Sequence, residues 1–261
     1  MKNKRSDKVY TTKDYSMFTR SVGNRYVATP EGERRVKNLI NSIREKYIPL
    51  PILADTDDKI IEGHHRLEAF RRLKMPFRFV YSDVKATPQD IQRLNNVSSK
   101  WSTQDYLLSN VDIEKHKYKD KAEGKPYHTY LWFSEKYKLA HRNNLMLLLD
   151  MKNSTKEAEE DFKHHRFVVK DLEKAKRRAE FLFSFKDMVP HINIKERSFV
   201  TAFIKIMSHY KFSKKRWLEK LQQNSRRLVS CQRTFEYIEL ILEIYNWKSQ
   251  KNQRIEIHEI D

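Results

Sequence analysis

Ile60-Ile61-Glu62-Gly63-His64-His65-Arg66-Leu67-Glu68-Ala69-Phe70 is the stretch on which the reading of this chain turns. Two β-branched residues run into a glycine, and Leu67, Phe70 and Leu73 then repeat at helical spacing. The pattern predicts a buried strand that ends at Gly63 and a helix that starts at once. The first N–H groups of such a helix have no intrahelical acceptor, and a glycine lets an anion approach them closely. His64, His65 and Arg66 add side-chain donors at the same place, and a guanidinium can grip two phosphate oxygens at once. An ordinary strand-to-helix turn with exposed histidines carries the same local pattern.

Upstream, Val36, Leu39, Ile40, Ile43 and Tyr47 predict an amphipathic helix over 30–46. Thr29-Pro30 suits its start, and Pro49 and Pro51 break the pattern. Residues 52–55 read as a strand, 56–59 as a turn and 60–62 as a returning strand. Downstream, 77–81 reads as a third strand, and Pro88 opens a helix carrying Ile91 and Leu94. Residues 1–13 are polar and read as a mobile arm. The expected fold class is therefore α+β over 14–110, close to the usual domain size. Beyond Trp101 the pattern is helical, over 103–118, 127–150, 155–185, 197–210, 213–224 and 230–247, so 111–250 is expected to be an all-helical region. Pro190 and Gln222-Gln223-Asn224 read as joints or turns.

Lys and Arg number 53 against 35 Asp and Glu, a net charge of +18 in 261 residues. Residues 1–110 hold 21 basic and 13 acidic side chains, so the excess is not confined to one half. Such a field attracts polyanions, with nucleic acid first among the partners and an acidic protein next. Surface lysines that only keep a protein in solution give the same balance. With four glycines and seven prolines, a turn-rich all-β fold is disfavoured. Cys231 is the single cysteine, which excludes an intramolecular disulfide and fits a reducing cytoplasm. No apolar run resembles a secretory signal or a membrane span, so no membrane partner is expected.

Within the helical region, Lys214, Lys215 and Arg216 beside Trp217, followed by Arg226 and Arg227, are the candidate DNA contacts. An amphipathic helix with Trp217, Leu218 and Leu221 turned inward fits them equally well. Tyr127 to Asn144 has room for a helix-turn-helix. Asp161 and His165 stand four apart, but two ligands are too few for a metal, and none is expected. Cys231 reads as a core residue.

The box Gly63-His64-His65-Arg66 resembles the phosphate-binding box of the ParB/sulfiredoxin superfamily. There a hydrophobic strand ends in Gly-Glu-Arg-Arg, Gly-Cys-His-Arg or, in an ADP-dependent serine kinase, Asp-Gly-His-His-Arg. Asn24-Arg25 resembles the Asn/Pro-Arg segment of that superfamily, Leu39-Ile40-Asn41-Ser42-Ile43 its first helix, and Leu50-Pro51-Ile52-Leu53 its Pro-Ile-Val strand. Asn95-Asn96 falls where ParB proteins carry a Glu-Asn pair that helps hold nucleotide and magnesium. Ser99-Lys100-Trp101-Ser102-Thr103-Gln104-Asp105-Tyr106-Leu107 resembles a junction found in phage and mobile-element proteins with a helical C-terminal part.

The departures carry chemical weight. His64 stands at the sulfiredoxin cysteine position, which argues against sulfinic-acid reduction. His64 and Asn95 also replace two ParB carboxylates, which argues against fast hydrolysis with magnesium. Gly32-Glu33-Arg34-Arg35 spells a ParB box inside the first helix and reads as a coincidence.

The resemblance implies a nucleotide site formed by Arg25, Gly63, His64, His65, Arg66, Asn95 and Asn96. Its ligand is expected to be a nucleoside triphosphate or diphosphate, with Mg²⁺ as a candidate companion. The whole reads as a ParB-like nucleotide- and DNA-binding protein of a phage or mobile element, in partition, transcription control or host interference, with a homodimer or protein partner left open. Two alternatives stand beside it. One is a small NTPase, kinase or nuclease using the His-His-Arg box, with Glu31, Glu33, Glu62 or Glu68 as the activating carboxylate. The other is a protein-binding inhibitor with a degenerate nucleotide pocket.

Overall fold

The computed structural model describes residues 8–98, 100–118 and 125–260. Residues 1–7 of the expected N-terminal arm, Ser99, residues 119–124 and Asp261 lie outside the described residues. The chain forms two compact units: one reaches to Lys125 and takes in Lys163–His165, and the other holds Pro126–Phe162 and Arg166 onward.

The first unit is built on a five-stranded mixed sheet. Its strands are β1 (Tyr10–Thr12), β2 (Thr19–Arg20), β3 (Ile52–Ala54), β4 (Lys59–Glu62) and β5 (Phe77–Tyr81), in the order β1-β5-β3-β4-β2. β3 and β4 are antiparallel across the Asp55–Asp58 turn, where the Asp55 carboxylate accepts from the N–H groups of Asp57 and Lys59, both at 2.9 Å. β5 runs parallel to β3, pairing Leu53 with Val80. The two outer strands were not legible as strands. Tyr10–Thr12 pairs antiparallel with Phe77–Phe79, and the Tyr10 ring stacks on Phe79 at 5.3 Å. That packing corrects the expectation of a mobile arm over residues 10–12. Phe18, Ile52, Ile60, Leu67, Phe70, Phe77 and Phe79 close the core of this unit, and each such burial contributes on the order of 1.5–3 kcal/mol.

Helix α1 (Pro30–Glu45) starts where the sequence indicates. Thr29 accepts from the Gly32 N–H at 3.0 Å, and Pro30 needs no acceptor for a missing donor. Gly32 is required by close approach: a Cβ there would lie 2.3 Å from the Val27 carbonyl oxygen. α2 (His64–Leu73) follows β4 through Gly63, and α3 (Pro88–Ser98) opens at Thr87, whose hydroxyl accepts from the Asp90 N–H. α4 (Thr103–Lys117) is capped reciprocally by Ser102 and Asp105. The boundary expected at residue 110 falls inside α4. That helix belongs to the first unit, is buried on several faces, and joins Asp105 to Arg35 and both Ser109 and Asp112 to Gly23.

The second unit is helical: α5 (Pro126–Tyr137), α6 (His141–Leu148), α7 (Lys156–Lys163), α8 (Leu172–Ser184), α9 (Arg197–Met207), α10 (Lys214–Asn224) and α11 (Thr234–Asn246). Two helices expected as single spans are divided. Lys138 at φ 52° ends α5, and His165 at φ 58° follows α7, before Asp171 caps α8 by accepting from the Lys174 N–H. Gln222–Asn224 is the last turn of α10 rather than a joint. Phe185, Phe199, Phe203, Trp217 and Tyr245 are fully buried and form an aromatic core. No helix among the described residues is long and apolar enough to cross a membrane.

Candidate anion-binding site

Gly63 adopts φ 97° and ψ 14°, and this left-handed residue turns β4 directly into α2. No side chain caps the helix start, and its first turn holds no acidic residue. Both features leave backbone donors for an outside acceptor.

His64 is buried, and neither of its ring nitrogens has a partner at hydrogen-bond geometry. His65 lies against it with ring centroids 4.1 Å apart, and its Nε2 is also buried without a partner. Burial, then the neighbouring His65, holds the His64 pKa well below the ordinary imidazole value, and only the Arg25 backbone works against this. Burial, then Arg35 and Arg25, pushes His65 down to about 4. Both rings are therefore neutral at pH 7, each with one N–H to donate.

Arg25 and Arg35 reach the same place from different elements. Asn24 fixes the Arg25 loop: its side-chain amide donates to the Ile60 carbonyl at 3.2 Å, and its Oδ1 accepts from the Arg25 N–H at 2.9 Å. Asp112 secures the other side, accepting from Arg20 at 2.8 Å, the Gly23 N–H at 2.9 Å and the Tyr26 hydroxyl at 3.0 Å. The Arg25 guanidinium lies 5.0 Å over the Trp101 ring. Arg35 donates to Asp105 at 3.2 Å through Nη2, while its Nη1 is buried without an acceptor. The buried indole Nε1–H of Trp101 is likewise without one.

Asp105 is paired to both of these arginines, 3.2 Å from Arg35 and 3.9 Å from Arg25. Burial pushes its pKa up, but the Ser102 N–H and Arg35 outweigh that and leave it below the ordinary value. Burial, then Arg35, lowers Arg25 to about 10. Two guanidiniums, two neutral imidazoles and one indole thus gather around the Asp105 carboxylate. Buried donors normally find acceptors, and a phosphate group has the oxygens to satisfy several of these at once.

The expected residues divide. Arg25, Gly63, His64 and His65 come together here. Arg66 folds back over Gly63 and pairs with Glu62. Asn95 ties its helix to the sheet, donating to Ile61 at 3.3 Å and to Ile91 at 2.8 Å. Asn96 is exposed, and its oxygen accepts from the Trp101 N–H at 2.9 Å. Arg35, Trp101 and Asp105 were not expected. Arg35 belongs to the string read as a chance copy of the box, and the other two to the junction string. The spacing of Ser102 and Asp105 is a capping-box signature that could have put Asp105 at a helix start.

Three of the carboxylates considered as bases are engaged: Glu62 with Arg66, Glu33 with Arg72 at 2.8 Å, and Glu68 with Arg71 and Arg72, both at 2.7 Å. Among the described residues no group of three or more His, Cys, Asp or Glu is placed to hold a metal ion.

In the helical unit, Lys214, Lys215 and Arg226 are exposed, but Arg216 donates to the Tyr245 hydroxyl and the Gln253 carbonyl, both at 3.0 Å. Arg227 pairs with Glu243. Trp217 and Leu221 turn inward. α5 and α6 are joined by a three-residue turn, as a helix-turn-helix is. However, residues 143–148 of α6 are buried, so α6 cannot enter a groove as a recognition helix. Cys231 is half-buried in the loop before α11, not in the core, and burial with Glu236 and Glu196 raises its thiol pKa.

No family model matches this chain, and no curated protein matches it. Its fold is similar to that of a solved chain described as "Structure of the C2221 form of Pnob8-like ParB-N domain". The two are 14% identical with a TM-score of 0.35, over 91% of this chain and 97% of the other. No site residue is carried over from this similarity.

Proposed function

We propose that the first unit binds a phosphate-bearing ligand, of nucleotide class, and that the helical unit is the part that contacts nucleic acid. One observation carries the first half: five buried nitrogens without a partner at hydrogen-bond geometry, on His64, His65, Arg35 and Trp101, gathered beside the left-handed start of α2, with each neutral imidazole able to donate from one of its two nitrogens. A neutral protein interior has no use for such a set, and each orphaned donor costs roughly 1–3 kcal/mol until something accepts from it. The resemblance of Gly63-His64-His65-Arg66 to a phosphate-binding box supports a nucleotide rather than a simple anion.

Binding is favoured over catalysis. Asp105 is a buried ion-pair partner with a lowered pKa, and Glu33, Glu62 and Glu68 are held by arginines. None is placed to take a proton from an attacking hydroxyl. The reading is a ParB-like nucleotide-responsive module without fast turnover. The test is a thermal-shift screen with ATP, ADP, CTP, GTP and pyrophosphate, with and without Mg²⁺. A ligand at ~100 times its Kd stabilises the fold by about 2.7 kcal/mol. No shift with any of them removes the proposal. Phosphate release at ~1 s⁻¹ or faster would replace a binding module with an enzyme.

A further inference from the structure

A groove of about 460 Å³ opens in the helical unit between the end of α5, the end of α8 and the segment leading to α9. Lys136, Lys186 and Lys195 line it with Tyr137 and Phe183, and Glu180 is its one carboxylate. All three lysines are exposed. The rings are ordered: Tyr137 and Phe183 stack at 6.0 Å with planes 17° apart. The Tyr137 hydroxyl donates to Glu180 at 3.2 Å, and Lys136 Nζ stands 3.5 Å from the same carboxylate, an exposed ion pair that a phosphodiester can replace.

Ammonium groups rest on these rings. Lys195 Nζ lies 5.6 Å over Phe183, and Lys136 Nζ lies 5.0 Å over Tyr137. At the edge of the groove Trp132 is 42% exposed, a high value for the largest apolar side chain. Lys136 and Lys176 approach its ring at 5.2 and 5.3 Å. Charge and flat aromatic surface thus alternate along one face.

We infer that this groove, edged by Trp132, binds single-stranded nucleic acid. This location rests on the reading of the helical unit as the nucleic-acid-binding part. Phosphodiesters meet Lys136, Lys186 and Lys195, and unstacked bases displace the flexible lysine tips to lie on Trp132 and Phe183. Stacking on aromatic rings beside a basic track is how sequence-tolerant single-strand binding is built. A duplex keeps its base faces covered and cannot use the rings. An acidic peptide would use the lysines but leave Trp132 without a planar partner.

Anisotropy titrations of fluorescein-labelled dT15 and of a 15-base-pair duplex into the full chain, at about 50 mM salt where counterion release favours binding, test this. The wild type is expected to bind dT15 at least tenfold more tightly than the duplex. Trp132→Ala and the triple change Lys136→Gln, Lys186→Gln, Lys195→Gln are each expected to weaken dT15 by tenfold or more, with unchanged circular dichroism and melting. The triple change Lys214→Gln, Lys215→Gln, Arg226→Gln is expected to leave it within twofold. Should that second triple weaken dT15 while the groove variants do not, the groove assignment falls and the helical unit keeps its nucleic-acid role. Equal binding of duplex and single strand also overturns the assignment. No binding of either oligonucleotide overturns both the assignment and the nucleic-acid half of the proposed function. Where a glutamine triple fails to melt like the wild type, Lys→Arg at the same three positions is expected to retain dT15 binding, and its loss overturns the assignment.

Discussion

His64 brings two ring nitrogens to a place where neither has a partner at hydrogen-bond geometry, only the Arg25 backbone favouring its protonated form, and it does so while almost wholly buried. His64→Leu removes those orphaned atoms at similar volume. It is expected to stabilise the ligand-free protein by about 1–3 kcal/mol in urea unfolding while abolishing phosphate binding. A loss of stability would show that the imidazole is satisfied in the folded chain. Asp105→Asn keeps an oxygen for the Ser102 cap and removes the charge that competes for Arg25 and Arg35. Its expected outcome is tighter phosphate binding by calorimetry with lower stability of the free protein, and weaker binding would make Asp105 a ligand contact instead. His65 gives a pH signature. Its folded pKa is about 4 and its ordinary value 6.5, so between these the unfolded chain binds the proton and the folded chain does not. Stability from this group is therefore complete above pH 6.5 and is lost as pH falls towards 4. Between pH 7 and 5 the loss is roughly 2 kcal/mol. Urea midpoints at the two pH values read it, and His65→Gln should reduce the difference. At this scale Gly63, His64 and His65 were legible because glycine and histidine at a strand-to-helix junction have a local meaning. Arg35 was not. It projects from the middle of α1, and only the fold brings it to Asp105, seventy positions away.

Elements explain how Gly63, His64 and His65 are placed together. The strand β4 ends, Gly63 turns, and α2 begins without a cap, so the turn fixes where both imidazoles point. A Cβ on Gly63 would stand 3.1 Å from Arg66 Nη2 and 3.3 Å from Ile52, at a φ that L residues rarely adopt. Gly63→Val is expected to destabilise by about 1–2 kcal/mol or more from the backbone alone, and to lose phosphate binding in calorimetry. A variant that melts and binds like the wild type would mean that the turn is not the cradle. The central strands, α1 and α2 were readable from apolar period, proline and glycine. β1 and β2 were not, because strands of three and two residues carry too little alternation and depend on β5 and β4 for their pairing. The breaks at Lys138 and His165 were also hidden, since neither is a glycine or proline although both take positive φ.

For the whole molecule the sequence shows the sum of charge, +18, but not its distribution in space. Charge counting pointed to Lys214–Arg216 and Arg226–Arg227, yet Arg216 and Arg227 are held by Tyr245, Gln253 and Glu243. The lysines of the groove are spread over sixty positions and have no sequence signature. Three phosphate contacts, from Lys136, Lys186 and Lys195, give an expected log–log salt slope for single strands of about −2, at about −0.7 for each. A flat salt response of dT15 binding would contradict phosphate contacts altogether. The phosphate site is tested most directly by calorimetric titration of CTP, ATP and pyrophosphate into the wild-type chain, with His64→Leu alongside. Saturable binding of at least one of them to the wild type, and none to His64→Leu, is the expected result. No binding heat with any of the three, or equal binding by the two proteins, would contradict the assignment of the buried donors to a phosphate ligand.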